Sequence, residues 1–337
     1  MHYPATLRVG PLTNIPFILR FLGYEPEPIL AASGFESAQF EDTENKVSFL
    51  AASKLLAHCV KVSGCDHFGF LLGEHANPSH LGIAGFLLSS APNVNSALNR
   101  LINYLDLHDQ GGLAALTITE DTALFGYIIN QPNVEAAGQI YDLSMVMACK
   151  VMRSLCGEKW DPNEVLLTHK EPDNSLHLQK FFQAPIRFNS QENALVFDKK
   201  WLNHNIPSAD PFLQSLLLRE ADKQHTVEQP TDLLRPLQQL LVHSLANKKI
   251  TAVDIAKQLE IHERTLHRRL KLLGTSFRSE LEQSRYAISQ QLLTETNESL
   301  VDISLALGYS SVSAFSRAFK QWSGKAPAKW RKEFHMF

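Results

Sequence analysis

Cysteine is scarce in this chain, and none of Cys59, Cys65, Cys149 and Cys156 forms a C-x-x-C pair or keeps a metal-ligand rhythm with nearby histidines. That excludes a disulfide framework and a zinc cluster, and predicts buried thiols in a reducing compartment. Cys149 and Cys156 fall on one helix, where a seven-residue offset rises about 10 Å, too far for a disulfide. Long apolar runs are also missing, so no membrane span or membrane partner is expected. The apolar stretch 15–22 is broken by Arg20, follows no basic segment and leads into Gly23, Pro26 and Pro28. It reads as an amphipathic helix and not as an export signal, which points to the cytoplasm. Glycine and proline, 16 each, are too few for collagen or a disordered chain, and 20% charged residues too few for a coiled coil. No G-x-S-x-G, P-loop, H-E-x-x-H or dinucleotide fingerprint occurs, so neither an enzyme nor a cofactor or metal is expected.

What is present is length and an uneven charge. The 337 residues favour two folding units, and 44% hydrophobic content is enough to build their cores. The formal net charge of -3 divides near Pro230. Residues 231–337 hold 16 Lys+Arg against 10 Asp+Glu, a net of +6, which leaves 16 against 25, a net of -9, in residues 1–230. A basic C-terminal third is the footprint of a phosphate-backbone binder.

Apolar periodicity sets out the order of elements. Residues 15–22 and 47–60 read as helices, 81–88 as a buried strand, and 94–107 as an amphipathic helix entered after Asn93 or Pro92. The β-rich runs 113–119 and 123–129 form a hairpin. A long helix over 134–155 precedes short strands at 164–168, 186–189 and 194–198. The expected N-terminal domain, residues 1–221, is therefore α+β, with a mixed, largely antiparallel sheet and helices, and the order of elements hints at a duplicated α/β unit. Residues 222–232 are polar, contain Pro230 and lack periodicity, as a linker would. Every segment of 233–337 then reads helical, an all-α domain.

That domain contains a repeat. Thr251-Ala-Val-Asp-Ile-Ala-Lys-Gln-Leu259 matches Ser299-Leu-Val-Asp-Ile-Ser-Leu-Ala-Leu307 at an offset of 48. Thr251 with Asp254, and Ser299 with Asp302, open the two short helices as capping boxes do. Leu266, Arg268, Leu270 and Lys271 then match Phe315, Arg317, Phe319 and Lys320 at an offset of 49. These are two helix-turn-helix units. In the second helix of the first unit, Leu266, Leu270 and Leu273 make the inward stripe, leaving Arg264, His267, Arg268 and Lys271 on another face. In the second unit Phe315, Phe319 and Trp322 turn inward, while Ser313, Ser316, Arg317 and Lys320 point away. Arginine can donate two hydrogen bonds to guanine, and serine and histidine can meet base edges or phosphates. Residues 277–294 form one long connecting helix of about 27 Å, close to the roughly 34 Å between successive major-groove faces. One chain could thus read two adjacent half-sites of double-stranded DNA.

At residues 250–332 the sequence resembles the AraC-type transcription regulators. The specific part is Ile303-Ser-Leu-Ala-Leu-Gly-Tyr-Ser-Ser-Val-Ser-Ala-Phe-Ser-Arg-Ala-Phe-Lys320 followed by Gly324-Lys-Ala-Pro-Ala-Lys-Trp-Arg331. The resemblance implies base-reading positions at Arg264, His267 and Arg268 in the first unit and at Ser311, Val312, Ser313 and Arg317 in the second. Glu260 stands where the family usually has glycine, and His262 where it usually has a Ser or Thr cap. Phe68-Gly-Phe-Leu-Leu-Gly-Glu74, residues 81–92 and Asn193-Ala-Leu-Val-Phe-Asp198 resemble the arabinose-binding-like companion domain of one branch of the family.

The resemblance implies a promoter-binding regulator, an activator working through RNA polymerase, whose acidic N-terminal domain senses a small-molecule effector and forms a homodimer. Candidate pocket residues are Phe68, Phe86, Tyr104, Tyr127 and Tyr141, while His108 and His169 read as satisfied structural histidines. Two other readings stand beside this one. The N-terminal domain only dimerises or docks a partner, or the chain is a DNA-targeted enzyme such as a repair alkyl-transferase, which needs a cysteine cluster the spacing does not supply.

Overall fold

A computed structural model describes residues 5–172, 175–228, 233–245 and 250–334. The chain divides into two compact units, one of residues up to 128 together with 134–227, the other of 129–133 together with 228 onward.

In the first unit β1 (Thr6–Arg8) precedes α1 (Ile15–Phe21) and α2 (Pro26–Ala32), each with proline in its first turn, where the missing N–H costs nothing. β2 (Lys46–Ser48) pairs antiparallel with β1, Val47 opposite Leu7. Ser48 then caps α3 (Phe49–Ser63) by accepting from the Ala51 N–H. α4 (Phe68–His75), α5 (Ile83–Ser89) and α6 (Val94–Tyr104) follow, the last capped by Asn93 as expected. The hairpin β3 (Gly112–Ile118) and β4 (Thr122–Ile129) leads to α7 (Ala137–Cys156), which carries both Cys149 and Cys156. Gly69 and Gly73, one turn apart on α4, let it approach the backbone of Gln139 and the side chain of Val146 on α7 more closely than any larger residue allows. β5 (Glu164–Leu166), α8 (Leu176–Phe182), β6 (Ile186–Arg187), β7 (Ala194–Asp198) and α9 (Pro211–Glu228) complete the unit. The sheet runs β3-β4-β7-β5-β6, with β7 antiparallel to β4 and β5, and β6 parallel to β5. It is mixed and mostly antiparallel.

Three expectations are corrected in this unit. Residues 81–88 are not a strand: a 3-10 turn ends at Leu81 and α5 begins at Ile83. Ala84, Gly85, Leu87 and Leu88 are buried while Phe86 and Ser89, three apart, are exposed, which is helical and not alternating spacing. Gly82, at φ +61, makes the sharp entry that a side chain would resist. With that strand gone, the duplicated α/β unit loses its first member. Residues 222–228 of the expected linker continue α9, because nothing breaks a helix before Pro230; residues 229–232 lie outside the described residues.

From residue 233 on, the described elements of the second unit are all helices: α10 (Leu234–Leu245), α11 (Ala252–Gln258), α12 (Glu263–Leu272), α13 (Phe277–Glu295), α14 (Leu300–Ala306), α15 (Val312–Ser323) and α16 (Pro327–Phe334). It holds two cores. Leu237, Leu241, Ile255, Leu266, Leu270 and Phe277 fill one, and Leu293, Ile303, Leu307, Phe315 and Phe319 the other. α13 joins them, giving Phe277 from its first turn to one and Leu292 and Leu293 from its last turns to the other.

Candidate nucleic-acid interface

α11–α12 and α14–α15 are built alike. The Thr251 hydroxyl accepts from the Asp254 N–H at 3.2 Å and donates to the Asp254 carboxylate at 2.6 Å. Ser299 repeats this with Asp302 at 3.1 and 2.5 Å. Each cap satisfies one free donor of a helix start.

The turns differ. In the second unit Gly308 adopts φ +73 and the Ser311 hydroxyl caps α15 by accepting from the Ala314 N–H. In the first, Glu260 adopts φ +53, and the Nδ1 of His262 caps α12 by accepting from the Arg264 N–H at 3.1 Å. The histidine replaces the hydroxyl cap without loss of the bond, but glutamate pays the steric cost of the left-handed region, about 1–2 kcal/mol. Glu260→Gly should therefore stabilise this unit by roughly 0.5–1 kcal/mol, the remainder going to the extra freedom of glycine in the unfolded chain. A urea midpoint that stays put or falls would show that Glu260 has compensating contacts.

Leu266 and Leu270 of α12, and Phe315 and Phe319 of α15, are fully buried, with Leu273 and Trp322 packed beside them, as the inward stripes predicted. On α12 the opposite side exposes Arg264, His267, Arg268 and Lys271, and His267 Nε2 lies 3.6 Å from Glu263. On α15 and its cap, Ser311, Ser313, Arg317 and Lys320 are exposed while Val312 and Ser316 are half-buried. Among the described residues Arg264, Arg268, Lys271, Arg317 and Lys320 form no ion pair, so their charge is free for an outside anion. Arg269, also exposed, adds a cation on the flank of α12 that the stripe arithmetic passes over, because it falls between the two faces.

The scaffold behind these faces is fixed by polar as well as apolar contacts. Glu280, buried in the first turn of α13, accepts from Thr275 at 2.6 Å and Gln238 at 3.0 Å, tying together the turn after α12 and helix α10. Arg285 lies over the ring of Tyr309 at 4.8 Å, and Tyr309 packs on Phe315, so α13 braces the turn before α15.

The other unit contains a cavity of about 100 Å³ between α3, α6, α7 and the hairpin. Of the five pocket candidates only Tyr127 lines it. Phe68 is buried elsewhere, Phe86 is 53% exposed, Tyr104 donates to Asp222 at 2.6 Å, and Tyr141 lies behind Tyr127, its ring edge-on at 6.3 Å. The wall is carbon except for a few groups, among them Ser53, Ser144, Asp109, Tyr127 and His108. Asp109 accepts from the N–H groups of Gly111 and Gly112 and from the Tyr127 hydroxyl. His169 is satisfied as expected, by Asp142 at 2.9 Å and the Lys170 carbonyl. His108 is not, for its buried Nδ1 meets no partner among the described residues. Burial, with Arg8 and His80 nearby, pushes its pKa down to about 3. The sequence offers no signal for this, since the wall comes from segments scattered between Leu7 and Val151.

The cysteines form no disulfide. Burial pushes the pKa values of Cys59, Cys149 and Cys156 up to about 12, far from a reactive thiolate, although Cys156 is half-buried and so departs from the expectation of burial. Among the described residues no helix is long and apolar enough to cross a membrane, and no three His, Cys, Asp or Glu side chains converge as metal ligands do.

Comparison with known proteins adds an independent line. Residues 23–206 match the family described as the arabinose-binding domain of AraC transcription regulator, N-terminal, and residues 255–333 match a helix-turn-helix domain. The chain is 24% identical over 335 residues to the HTH-type transcriptional regulator VirS of Mycobacterium tuberculosis, the match covering 98% of each chain. It is 22% identical over 311 residues to the ornithine utilization regulator of Pseudomonas aeruginosa, covering 92% of this chain and 91% of that one. The crystal structure of the transcriptional regulator CdpR from Pseudomonas aeruginosa aligns with a TM-score of 0.44 at 21% identity, over 94% of this chain and 98% of that one.

Proposed function

The chain belongs to the AraC family of DNA-binding transcription regulators, and from that membership we propose that it reads two adjacent half-sites of promoter DNA with α12 and α15 under the control of a small molecule held by its N-terminal unit. The observation that carries the DNA half of this reading is the pair of capped helices with unpaired cations on matching outward positions, Arg268 with Arg317 and Lys271 with Lys320. Arg264, His267, Arg268, Ser311, Val312, Ser313 and Arg317 meet base edges, Val312 through apolar contact with a thymine methyl. Lys271, Ser316 and Lys320 hold the phosphates that flank them. The apolar cavity between α3, α6, α7 and the hairpin supports the sensor half. The protein acts in the cytoplasm as a homodimer joined through its N-terminal units, and activates by contact with RNA polymerase. A unit that only dimerises or docks a partner is the second reading; native mass spectrometry that finds no retained small molecule from any growth condition would favour it.

Arg317→Ala tests the base contacts. It should cost about 1–3 kcal/mol and relax preference at one base position. Equal weakening on every sequence, measured by competition binding with single-base operator variants, would reassign Arg317 to a phosphate.

A further inference from the structure

We propose that the cavity of the N-terminal unit binds a small, neutral, hydrocarbon-like molecule, one ring or a short chain, held by apolar contact alone. This rests on the reading of that unit as a sensor and names the chemical class of what it senses.

Native interiors are close-packed and have few voids larger than a water molecule, yet this cavity holds about 100 Å³. Small side chains keep it open. Ala52 of α3, Ala114 of β3 and Ala148 of α7 all line it and are all buried, and a leucine at any of them would close much of the space. Around them Phe49, Leu56, Leu101, Phe125 and Ile140 present carbon from α3, α6, β4 and α7. The volume is somewhat below the roughly 150 Å³ of an engineered apolar cavity that stays dry and takes benzene, so one ring or a short chain fits and a sugar chain or peptide does not.

The polar side chains of the wall are engaged within the protein itself. The Ser53 hydroxyl donates to the Leu50 carbonyl at 2.9 Å and accepts from the Glu135 N–H at 3.3 Å, and the Ser144 hydroxyl donates to the Ile140 carbonyl at 2.7 Å. Asp109 accepts from the N–H groups of Gly111 and Gly112 and from the Tyr127 hydroxyl. The Nδ1 of His108 is shut away from any accessible surface, beyond the reach of a molecule in the cavity, and with its pKa at about 3 the ring offers no charge at neutral pH. A ligand hydroxyl brought in here gives up its water and competes with bonds already made. Charge fares worse. No Arg or Lys lines the cavity to meet a carboxylate, and an ammonium finds Asp109 already accepting three hydrogen bonds.

Toluene, phenol and benzoate separate these requirements, because the first two match in shape and differ in the hydroxyl, while the third adds the charge. Binding to the full chain is followed by ligand-observed NMR and by thermal unfolding. Toluene should bind about tenfold tighter than phenol, and benzoate should not bind. Ala52→Leu and Ala148→Leu, which fill the cavity from α3 and α7, should abolish toluene binding. Leu101→Ala, which widens it from α6, should shift preference from toluene towards propylbenzene by about tenfold, the worth of two further buried methylenes. If one of these variants does not fold, the others and the toluene-to-phenol ratio in the unaltered protein still carry the test. Toluene that fails to bind, binds no better than phenol, or binds the filled variants as well as the parent overturns the proposal. Promoter-DNA affinity measured on the same samples reads the sensor separately: toluene bound in the cavity with no change in DNA affinity overturns control through this cavity and leaves its ligand class standing.

Discussion

Binding of the full chain to promoter DNA should weaken about fortyfold when salt rises from about 50 to about 200 mM. Six exposed cations lie on α12 and α15, Arg264, Arg268, Arg269, Lys271, Arg317 and Lys320. Each one that neutralises a phosphate releases counterion and contributes about 0.9 to the slope of log K against log salt, so Arg269, Lys271 and Lys320, with the other three on base edges, give about fortyfold over a fourfold rise. Each of the other three that turns instead to a phosphate multiplies that ratio by about three to four. The slope therefore counts phosphate contacts, and its change in single alanine variants sorts the six residues one by one. Lys271→Ala and Lys320→Ala should flatten the slope by about one unit each, whereas Arg317→Ala should leave it nearly unchanged and act on sequence preference. Affinity independent of salt would refute DNA binding through these faces.

The two helix-turn-helix units were legible in sequence because local chemistry decides them. Thr251 and Ser299 carry their caps within three residues, the inward stripes recur at helical spacing, and the 48-residue repeat makes each unit a check on the other. The turn of the first unit was legible only as a departure: Glu260 and His262 mark where the motif strains, and coordinates were needed to show that histidine still caps while glutamate takes up the left-handed conformation.

The N-terminal unit yielded less. Its hairpin, the helix after Asn93 and strand β7 have clean patterns and fall where expected. Residues 81–88 do not, since eight apolar residues fit a buried strand or a buried helix equally well and only Gly82 and the exposure of Phe86 decide between them. The cavity was invisible for a different reason. It is a product of tertiary packing, and aromatic residues chosen as candidates mostly fill core instead, as Phe68 and Tyr141 do. That the buried Nδ1 of His108 lacks a partner among the described residues is likewise a product of packing, which no pattern of neighbours in sequence can reveal.

Phe319→Ala should cost about 3–5 kcal/mol, the range for emptying a large aromatic site in a core that cannot collapse. Phe319 is fully buried on α15, with the rings of Phe315 and Tyr286 at 5.8 Å and Trp330 at 5.6 Å, so its neighbours come from three helices and each is held by others. Because Arg317 and Lys320 flank it in sequence, losing the core also loosens the helix that presents them, and the second half-site should lose most of its contribution to DNA affinity. Leu270→Ala in the first unit should cost about 2–5 kcal/mol for the same reason. The two sites belong to separate clusters that both draw on α13, which makes their combination informative. If the cores are independent, the two stability losses add within about 0.5 kcal/mol in denaturant unfolding. A double variant markedly less damaged than the sum would mean that either change alone already releases both recognition helices, so that α13 acts as a shared strut and not as a passive spacer.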